Sequence, residues 1–326
     1  MNGVRVGIIG IGNMGSAHLQ TVTAGNIPGM RVTAVCDINP ERLKAVKAEY
    51  PDIAAFGNYT ELLKDSDTDA VIIAVPHPLH AKIAVEAFKY GKHVLVEKPA
   101  DITVSAAESL CAAAKKSGKV FAIMFNQRTN GLFSEARRIV KSGELGNLKR
   151  SVWIITNWYR TQSYYDSGDW RATWAGEGGG VLLNQAPHNL DIWQWICGIP
   201  SAVTAFCNAG KFHNIEVEDE ATIYAEYENG ATGVFITSTG DCPGTNRLEI
   251  TGTRGKTVLE NGILKLWKLK EDERDICKNA TEGYVNPETE YSEFTAEREE
   301  AHAGILKNFA NAILHGEELY HRGMTE

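Results

Sequence analysis

Lys98 is the first residue whose type and position could support chemistry, because it lies just after the strand predicted at residues 93–96 and precedes Pro99. A lysine has an ordinary pKa of about 10.4, which burial and a neighbouring cation lower. With a lowered pKa, Lys98 could take the proton of an alcohol as a hydride leaves the same carbon. Because Pro99 restricts Lys98 to extended backbone, we expect a cis Lys98–Pro99 bond that aims the side chain into a cleft. Position alone equally allows a solvated lysine at a strand end.

A second group of polar residues follows three glycines in GGGVLLNQAPHNLD, residues 178–191. We predict a helix over residues 180–197, which places Asn184, His188 and Asp191 at i, i+4 and i+7 on one face. The trio could form a catalytic edge beside a glycine hinge. It could also be the ordinary polar flank of a half-buried helix.

Residues 10–15 match the pattern GxGxxG, between an apolar predicted strand and a predicted helix. Gly10 permits a tight turn, Gly12 lets the backbone approach a pyrophosphate, and Gly15 lets helix and strand pack closely. The helix N-terminus adds free N–H groups for the phosphates. This context predicts a dinucleotide site rather than a glycine-rich turn without a ligand.

Several other residues are candidates for contact with that dinucleotide. Asp37 ends the next predicted strand and could bind the adenosine ribose while repelling a 2′-phosphate, which favours NAD over NADP. Arg42 could instead accommodate a phosphate, and Asp37 could merely cap the helix that begins at Pro40. His77 and His80 could contact the cofactor or bond to backbone at a helix start. The predicted cofactor contacts are Gly10, Gly12, Asn13, Met14, Gly15, Asp37, Ile38, Pro76, His77, His80, Glu97, Lys98 and Gln127.

The elements that must position these residues fall into two parts. Residues 1–125 alternate strand and helix and contain a continuous apolar run at 70–75, which predicts a doubly wound parallel sheet. Residues 126–326 carry strands with period-two alternation and the turn signals Asn229-Gly230 and Asn261-Gly262, which predict a large open, mostly antiparallel sheet with few helices. Residues 271–300 are polar and predicted to be mostly loop, and residues 301–314 form a last predicted helix. The fold class is therefore α/β, with a nucleotide-binding domain at 1–125 and a substrate and oligomerisation domain at 126–326.

Composition excludes some classes of partner. The 326 residues have a net charge of −8, so no basic field attracts nucleic acid or an anionic membrane. Six cysteines lie scattered without a CxxC pair, which is typical of reduced thiols in a cytoplasmic protein. We expect no metal site and no membrane span.

Aromatic and basic residues precede the three glycines. Trp158, Arg160, Trp170 and Arg171 could bind a sugar, since aromatic faces stack on its C–H side and arginine binds hydroxyls. The alternative is core packing beneath a loop, because tryptophan is usually well buried.

Four segments together resemble the Gfo/Idh/MocA family of oxidoreductases. They are GIIGIGNMGSAHL, the acidic Asp37, AVPHPLHAKIAVEAFKYGKHVLVEKP, and GGGVLLNQAPHNLD, in that order. The resemblance implies a Rossmann domain followed by an α/β domain whose open sheet often forms homodimers or homotetramers. It further implies hydride transfer between NAD(P) and a secondary alcohol of a sugar, glycoside or inositol. Members usually continue beyond the helix that residues 301–314 resemble, so we expect a shortened C-terminal part that another subunit could complete.

Residue roles also follow from this resemblance. Lys98 matches the proposed acid/base, His188 the active-site histidine, and Asn184 lies where many members have aspartate. Asn184 cannot carry a proton, so the proton path is expected to rest on Lys98 and His188. Asp191 could orient His188 or have a structural role. The predicted substrate contacts are Lys98, Trp158, Arg160, Trp170, Arg171, Asn184 and His188.

Two other functions are compatible with the same fold. A tightly held NAD could oxidise a sugar transiently so that a substituent is eliminated or a glycoside cleaved, with no net redox change. The chain could also be an NAD-binding sensor without catalysis, although binding alone requires neither Lys98 nor His188.

Overall fold

The computed structural model of the chain describes residues 3–65, 67–296 and 300–321. They form two compact units, the first within residues 1–129, 176–178 and 300–326, and the second within residues 130–175 and 179–299. The first unit thus takes in the last helix of the chain. The division into functional domains after residue 125 stays a prediction.

In the described part of the chain, the first unit contains a six-stranded sheet of order β3-β2-β1-β4-β5-β6, and every pair is parallel. The strands are β1 (Val4–Ile9), β2 (Met30–Cys36), β3 (Ala54–Phe56), β4 (Ala70–Ile73), β5 (His93–Val96) and β6 (Phe121–Ile123). The helices are α1 (Asn13–Thr23), α2 (Pro40–Glu49), α3 (Tyr59–Lys64), α4 (His80–Lys89), α5 (Val104–Ser117) and, from the chain end, α10 (Ala301–His315). The predicted doubly wound parallel sheet is confirmed.

Burial on both sheet faces explains the continuous apolar strands. All four residues of β4 are fully buried. Ala70 and Ile72 belong to one core cluster, which also contains Phe309 of α10, whereas Val71 and Ile73 belong to another. Alternate side chains therefore enter two cores on opposite faces, the arrangement that parallel sheets require.

The sequence analysis missed β3 and α3. The strand has only three residues and pairs with the end of β2, so it leaves no periodic pattern. The helix has six residues and begins after Asn58, whose side chain accepts a hydrogen bond from the N–H of Thr60. This N-cap was the one available signal, since asparagine is preferred at that position.

In the second unit, the described residues form an eight-stranded sheet of order β14-β13-β12-β11-β7-β10-β9-β8, in which only β7 and β10 pair in parallel. The strands are β7 (Leu148–Ile155), β8 (Ala202–Ala209), β9 (Glu218–Glu226), β10 (Thr232–Ser238), β11 (Asn246–Gly252), β12 (Gly255–Glu260), β13 (Ile263–Leu269) and β14 (Thr289–Thr295). The helices are α6 (Gly131–Lys141), α7 (Gln162–Tyr165), α8 (Pro187–Cys197) and α9 (Glu273–Asn279). The predicted mostly antiparallel sheet is confirmed.

Turn chemistry sets the register of this sheet. Asn261 and Gly262, between β12 and β13, both have positive φ, at 52° and 74°. Two consecutive positive φ values define the type I′ turn whose twist matches a hairpin, and Asn-Gly is its preferred sequence. Asn229 and Gly230 lie in the longer connection between the antiparallel strands β9 and β10, where Gly230 has positive φ of 80° and Asn229 does not.

Two predictions about local structure are wrong. The helix predicted over residues 180–197 begins only at Pro187, which occupies its first turn and whose fixed φ suits that position. Asn184 therefore lies in the preceding turns and does not share a helix face with His188. Residues 271–300 also contain α9 and β14, while residues 297–299 lie outside the described part of the chain.

Candidate active site

The glycine-rich loop of the first unit has the geometry that a pyrophosphate requires. Gly10 has φ of 93°, and a Cβ there would lie 2.4 Å from the carbonyl oxygen of Ala74. A Cβ on Gly15 would lie 1.8 Å from the carbonyl oxygen of Gly10, so only glycine fits. At Gly12, by contrast, a Cβ would meet no atom within 4 Å. The space beside Gly12 is open in the way that phosphates at a helix N-terminus need, so these residues fit NAD.

Asp37 lies at the carboxyl end of β2 and is directed to this loop. Its buried carboxylate accepts hydrogen bonds from the N–H of Ile11 at 2.7 Å and of Asn39 at 2.8 Å. The alternative that Asp37 caps α2 is wrong, because the cap is Asn39, which accepts from the N–H of Glu41. Arg42 lies 3.3 Å from the same carboxylate and compensates its charge.

Three other predicted cofactor contacts surround the loop. Asn13 and Met14 begin α1, with Met14 about one third exposed. Ile38 is 94% exposed, an unusual exposure for an apolar side chain beside a predicted adenosine site. These three stay predictions. Gln127 is half-buried in a short 3-10 helix, Asn126–Thr129, and its contact with the cofactor also stays a prediction.

Lys98 lies two residues after the end of β5, at the same sheet edge as the glycine loop and Asp37. The Lys98–Pro99 peptide bond is cis, as the sequence analysis predicts. The backbone N–H of Lys98 donates to the Glu97 carboxylate at 3.3 Å. The backbone on both sides of Lys98 is therefore defined by contacts within the first unit.

Glu97 is part of a buried polar cluster that the sequence analysis missed. Its carboxylate lies 2.8 Å from Nε2 of His18 on α1, and His302 of α10 lies with its ring centre 5.8 Å from that of His18. Burial raises the pKa of Glu97, but the hydrogen bond from His18 and the charges of His18, His302 and Lys98 outweigh it and keep the pKa below its ordinary value. A charged Glu97 can therefore link the helix after the glycine loop to the segment of Lys98. The only sequence signal was a histidine on the apolar face of α1.

The two histidines after β4 differ in accessibility. His80 is fully buried, with ring nitrogens 2.7 and 2.8 Å from the carbonyl oxygens of Pro99 and Val75. We now expect His80 to position Pro99, because its ring has no exposed surface for a cofactor. His77 is half-buried, and burial together with the charge of His80 lowers its pKa to about 4. His77 is therefore neutral near pH 7, and its cofactor contact, like that of the exposed Pro76, stays a prediction.

In the second unit, the segment after the glycines is held by a residue that the sequence analysis did not identify. The buried Glu218 of β9 accepts from the N–H of Gly180 at 2.9 Å and of Leu182 at 3.0 Å. A Cβ on Gly180 would lie 1.8 Å from the carbonyl oxygen of Glu218, so this close approach requires glycine. Glu218 and Gly180 together define the turns that carry Asn184.

The three polar residues of this segment do not lie on one helix, because Asn184 precedes α8 whereas His188 and Asp191 belong to it. Asn184 donates from Nδ2 to the hydroxyl of Tyr164 at 3.3 Å. His188 lies half-buried in the first turn of α8. Asp191 is buried one turn later and accepts from Gln194 at 3.3 Å.

Tyr164 contacts three of the predicted substrate residues of the second unit, Arg160, Arg171 and Asn184. Its hydroxyl accepts from Arg171 at 3.0 Å and from Asn184, and the guanidinium carbons of Arg171 and Arg160 lie 4.6 and 5.2 Å from its ring centre. Arg171 also stacks on Trp170 at 4.5 Å. Both Trp170 and Arg160 are partly exposed, so this cluster is not simply core packing. Sequence analysis missed Tyr164 because nothing in its neighbourhood indicates partners twenty residues away.

The described residues contain no group of three or more side chains that could hold a metal ion. Nor does the described part of the chain contain a helix long and apolar enough to cross a membrane.

Models of one protein family match most of the chain. The model for the oxidoreductase family with an NAD-binding Rossmann fold, GFO_IDH_MocA, matches residues 4–125. The model for a GFO/IDH/MocA C-terminal domain matches residues 133–258. These matches cover the whole of the parallel sheet and, in the second sheet, β7 to β11 and part of β12.

Individual relatives agree with these models. The uncharacterized oxidoreductase YrbE of Bacillus subtilis is 29% identical over 79% of this chain and 74% of its own length. The scyllo-inositol 2-dehydrogenase (NAD(+)) of the same species is 26% identical over 78% and 73%, respectively. A solved structure of the WlbA dehydrogenase from Chromobacterium violaceum, in complex with NADH and UDP-GlcNAcA, is 26% identical with a TM-score of 0.77, over 85% of this chain and 81% of that one. The chain therefore belongs to the Gfo/Idh/MocA family and is an NAD-binding oxidoreductase.

Proposed function

We propose that the chain is a dehydrogenase that oxidises a secondary alcohol of a sugar, glycoside or inositol with NAD. The observation that carries this proposal is the position of Lys98, two residues after the end of β5 and at the same sheet edge as the glycine loop and Asp37. Ligands of such sheets bind outside the carboxyl ends of the strands. Similarity to an inositol dehydrogenase supports the choice of substrate class.

Each element of the first unit has a defined task in this proposal. NAD supplies a nicotinamide ring that accepts the hydride. Gly12 leaves its N–H and the open space beside it for the pyrophosphate, and Asp37 accepts from the adenosine ribose. Lys98 takes the proton of the substrate hydroxyl, with its backbone fixed by Glu97.

NAD is preferred over NADP in this proposal because of the environment of Asp37. The carboxylate already accepts hydrogen bonds from two backbone N–H groups, which hold it in place beside the loop. The negative charge of the Asp37 carboxylate would repel the 2′-phosphate of NADP. Arg42 compensates it only from a half-exposed position.

Asn184 and His188 contact the substrate in this proposal, as the family resemblance implies. Asn184 binds a hydroxyl by donating and accepting hydrogen bonds, since an amide cannot carry a proton. Replacing Asn184 with aspartate adds a titratable group, so the pH dependence of kcat should change. An unchanged pH profile would show that Asn184 takes no part in the reaction.

The direct test uses the full chain with NAD and a panel of sugars, glycosides and inositols, followed by the absorbance of reduced nicotinamide. We expect turnover of at least one compound, and a loss of kcat of roughly 10²- to 10⁴-fold in Lys98→Met, as general-base catalysts typically show. Lys82→Met on the outside of α4 is the matched control and should retain the wild-type rate.

The outcomes also separate the alternatives. Product formation with NAD retained and no net reduced nicotinamide would favour transient oxidation followed by elimination or glycoside cleavage. NAD binding without any turnover across the panel would favour a sensor and overturn the proposal. The cytoplasmic location and the homo-oligomer predicted from the sequence stay predictions.

A further inference from the structure

Two guanidinium groups lie against one aromatic ring in the second unit. The guanidinium carbons of Arg171 and Arg160 are 4.6 and 5.2 Å from the ring centre of Tyr164. Each also stacks on a tryptophan, Arg171 on Trp170 at 4.5 Å and Arg160 on Trp158 at 5.9 Å. Stacking fixes the plane of a guanidinium and leaves its N–H edge for another ligand.

These two arginines differ from other arginines of the second unit in their pairing with carboxylates. Among the residues that the structure describes, no carboxylate lies within salt-bridge distance of Arg160 or Arg171, whereas Arg138 and Arg247 each bind two glutamates. Asp166 belongs to the same segment but accepts from Gln162. Two half-buried cations that contact the same ring lose part of their hydration, so an anion that binds to them would be favoured.

Hydrogen-bond donors are also in excess there. Nη1 of Arg160 donates to the carbonyls of Trp158 and Tyr159, and Arg171 donates from Nε to Ser167 and from Nη1 to Tyr164. Within the described residues, Nη2 of both arginines has no acceptor. The buried indole N–H of Trp158 has none either. A ligand that only accepts hydrogen bonds would satisfy this set, and carboxylates and phosphates are such ligands.

We propose that Arg160, Arg171 and Tyr164 form a subsite for an anionic group of the substrate, a carboxylate or phosphate carried by the sugar. The inference rests on the proposed function and specifies its substrate class. In a chain with net charge −8, this local cationic patch gives an acidic sugar one preferred place to bind. The bidentate geometry of arginine matches both carboxylate and phosphate.

The test measures binding first, so that it does not depend on turnover. The full chain with saturating NAD is titrated with glucose, glucuronate and glucose 6-phosphate by calorimetry. We expect at least one acidic sugar to bind about tenfold or more tightly than glucose, with the preference falling as salt is raised. Glucuronate and glucose 6-phosphate separate a carboxylate from a phosphate as the anionic group.

Variants connect the preference to the two arginines. Arg171→Gln and Arg160→Gln should each reduce the ratio of acidic to neutral affinity by roughly 10-fold, as expected for a hydrogen bond to a charged group. Arg171→Lys keeps the positive charge but loses the paired N–H donors of the guanidinium. This variant should therefore retain part of the preference for acidic sugars. Arg247→Gln is the matched control, because that arginine is already paired with Glu249 and Glu260.

The outcomes distinguish this inference from the proposed function. Equal affinity for acidic and neutral sugars, no binding of either acidic sugar, or an unchanged ratio in both glutamine variants would overturn the anionic subsite. Turnover of neutral sugars alone would likewise overturn it while leaving the dehydrogenase intact. Failure of every sugar to reduce NAD would overturn the dehydrogenase, whatever the binding preference.

Discussion

Around the glycine loop of the first unit, buried polar groups already have partners in the protein, whereas around Tyr164 of the second unit donors outnumber acceptors. Asp37 accepts two backbone N–H groups beside Arg42, and Glu97 is bonded to His18. Arg160 and Arg171 have no carboxylate partner among the described residues. A cofactor bound mainly through backbone needs no spare side-chain charge, while a specific substrate is recognised by side chains left unsatisfied until it binds.

The two units also differ in what defines their candidate sites. Gly10 and Gly15 lie so close to carbonyl oxygens that a Cβ would not fit, so backbone geometry defines the cofactor loop. The cluster around Tyr164 instead depends on contacts between side chains. We therefore expect the first unit to bind the cofactor and the second to contribute contacts to the substrate.

The largest expected effect separates two glycines of the same loop. Gly15→Ala places a Cβ 1.8 Å from the carbonyl oxygen of Gly10, so we expect a loss of roughly 3 kcal/mol in unfolding free energy together with loss of NAD binding. Gly12→Ala meets no atom within 4 Å and should change stability by less than about 1 kcal/mol. It should nevertheless weaken NAD binding, because the methyl group occupies the place of the pyrophosphate.

Urea unfolding and calorimetric titration with NAD measure the two effects on the same samples. Equal loss of stability in both variants would mean that an added methyl group has the same effect at Gly15 and at Gly12, which would contradict the predicted difference. Unchanged NAD affinity in Gly12→Ala would place the pyrophosphate elsewhere.

The next effect belongs to the second unit. Glu218→Ala leaves the N–H groups of Gly180 and Leu182 without their acceptor, which should cost about 2–3 kcal/mol. The displaced turns carry Asn184, so KM for the sugar should rise while the dissociation constant of NAD stays the same. Glu226→Ala, exposed at the other end of β9, is the control and should affect neither quantity. A loss of NAD affinity in Glu218→Ala would contradict the expectation that the second unit affects binding of the sugar but not of NAD.

Sequence analysis succeeded where short-range patterns determine structure. Continuous apolar strands, the glycine loop, the Asn-Gly hairpins and the cis bond before Pro99 were all predicted, because each depends on neighbours within a few residues. The error at residues 180–197 arose because apolar spacing was given more weight than Pro187. That proline marks the first turn of α8, so the preceding residues form separate turns.

Residues whose role depends on distant partners escaped the sequence analysis. His18 meets Glu97 across 79 residues of chain, and Glu218 meets Gly180 across 38. The role of Tyr164 follows only from the structure, in which its hydroxyl accepts hydrogen bonds from Arg171 and Asn184. No periodicity or motif encodes such contacts, because they arise from the packing of whole elements rather than from local preference.

The third effect is a pH dependence that belongs to the first unit. The pKa of His77 is lowered to about 4, below the value of about 6.5 for an unfolded chain, chiefly by burial. The folded state therefore binds fewer protons than the unfolded state in this window, and stability falls as the pH decreases from 6.5 towards 4. His77→Gln should flatten this dependence, by an amount on the order of 1–2 kcal/mol between the two ends.

Urea unfolding across that pH range measures the slope. His315→Gln, at the exposed end of α10, is the matched control and should keep the wild-type slope. A slope that persists in His77→Gln would assign the acid sensitivity to other buried histidines of the unit, such as His80 and His302, whose pKa values are also lowered by burial.

The smallest effect concerns the ion pair between Arg42 and Asp37, beside the cofactor loop. Arg42 is half-exposed and lies 3.3 Å from Asp37, so Arg42→Gln should change the unfolding free energy by less than about 0.5 kcal/mol. Asp37 keeps its bonds to the N–H groups of Ile11 and Asn39, so NAD affinity should change by less than about twofold, measured by calorimetry. Asp37→Asn is the contrasting variant, since losing the charge should narrow the preference for NAD over NADP. A tenfold loss of NAD affinity in Arg42→Gln would instead show that the first unit binds its cofactor through an arginine side chain, the kind of contact that we propose for the substrate in the second unit.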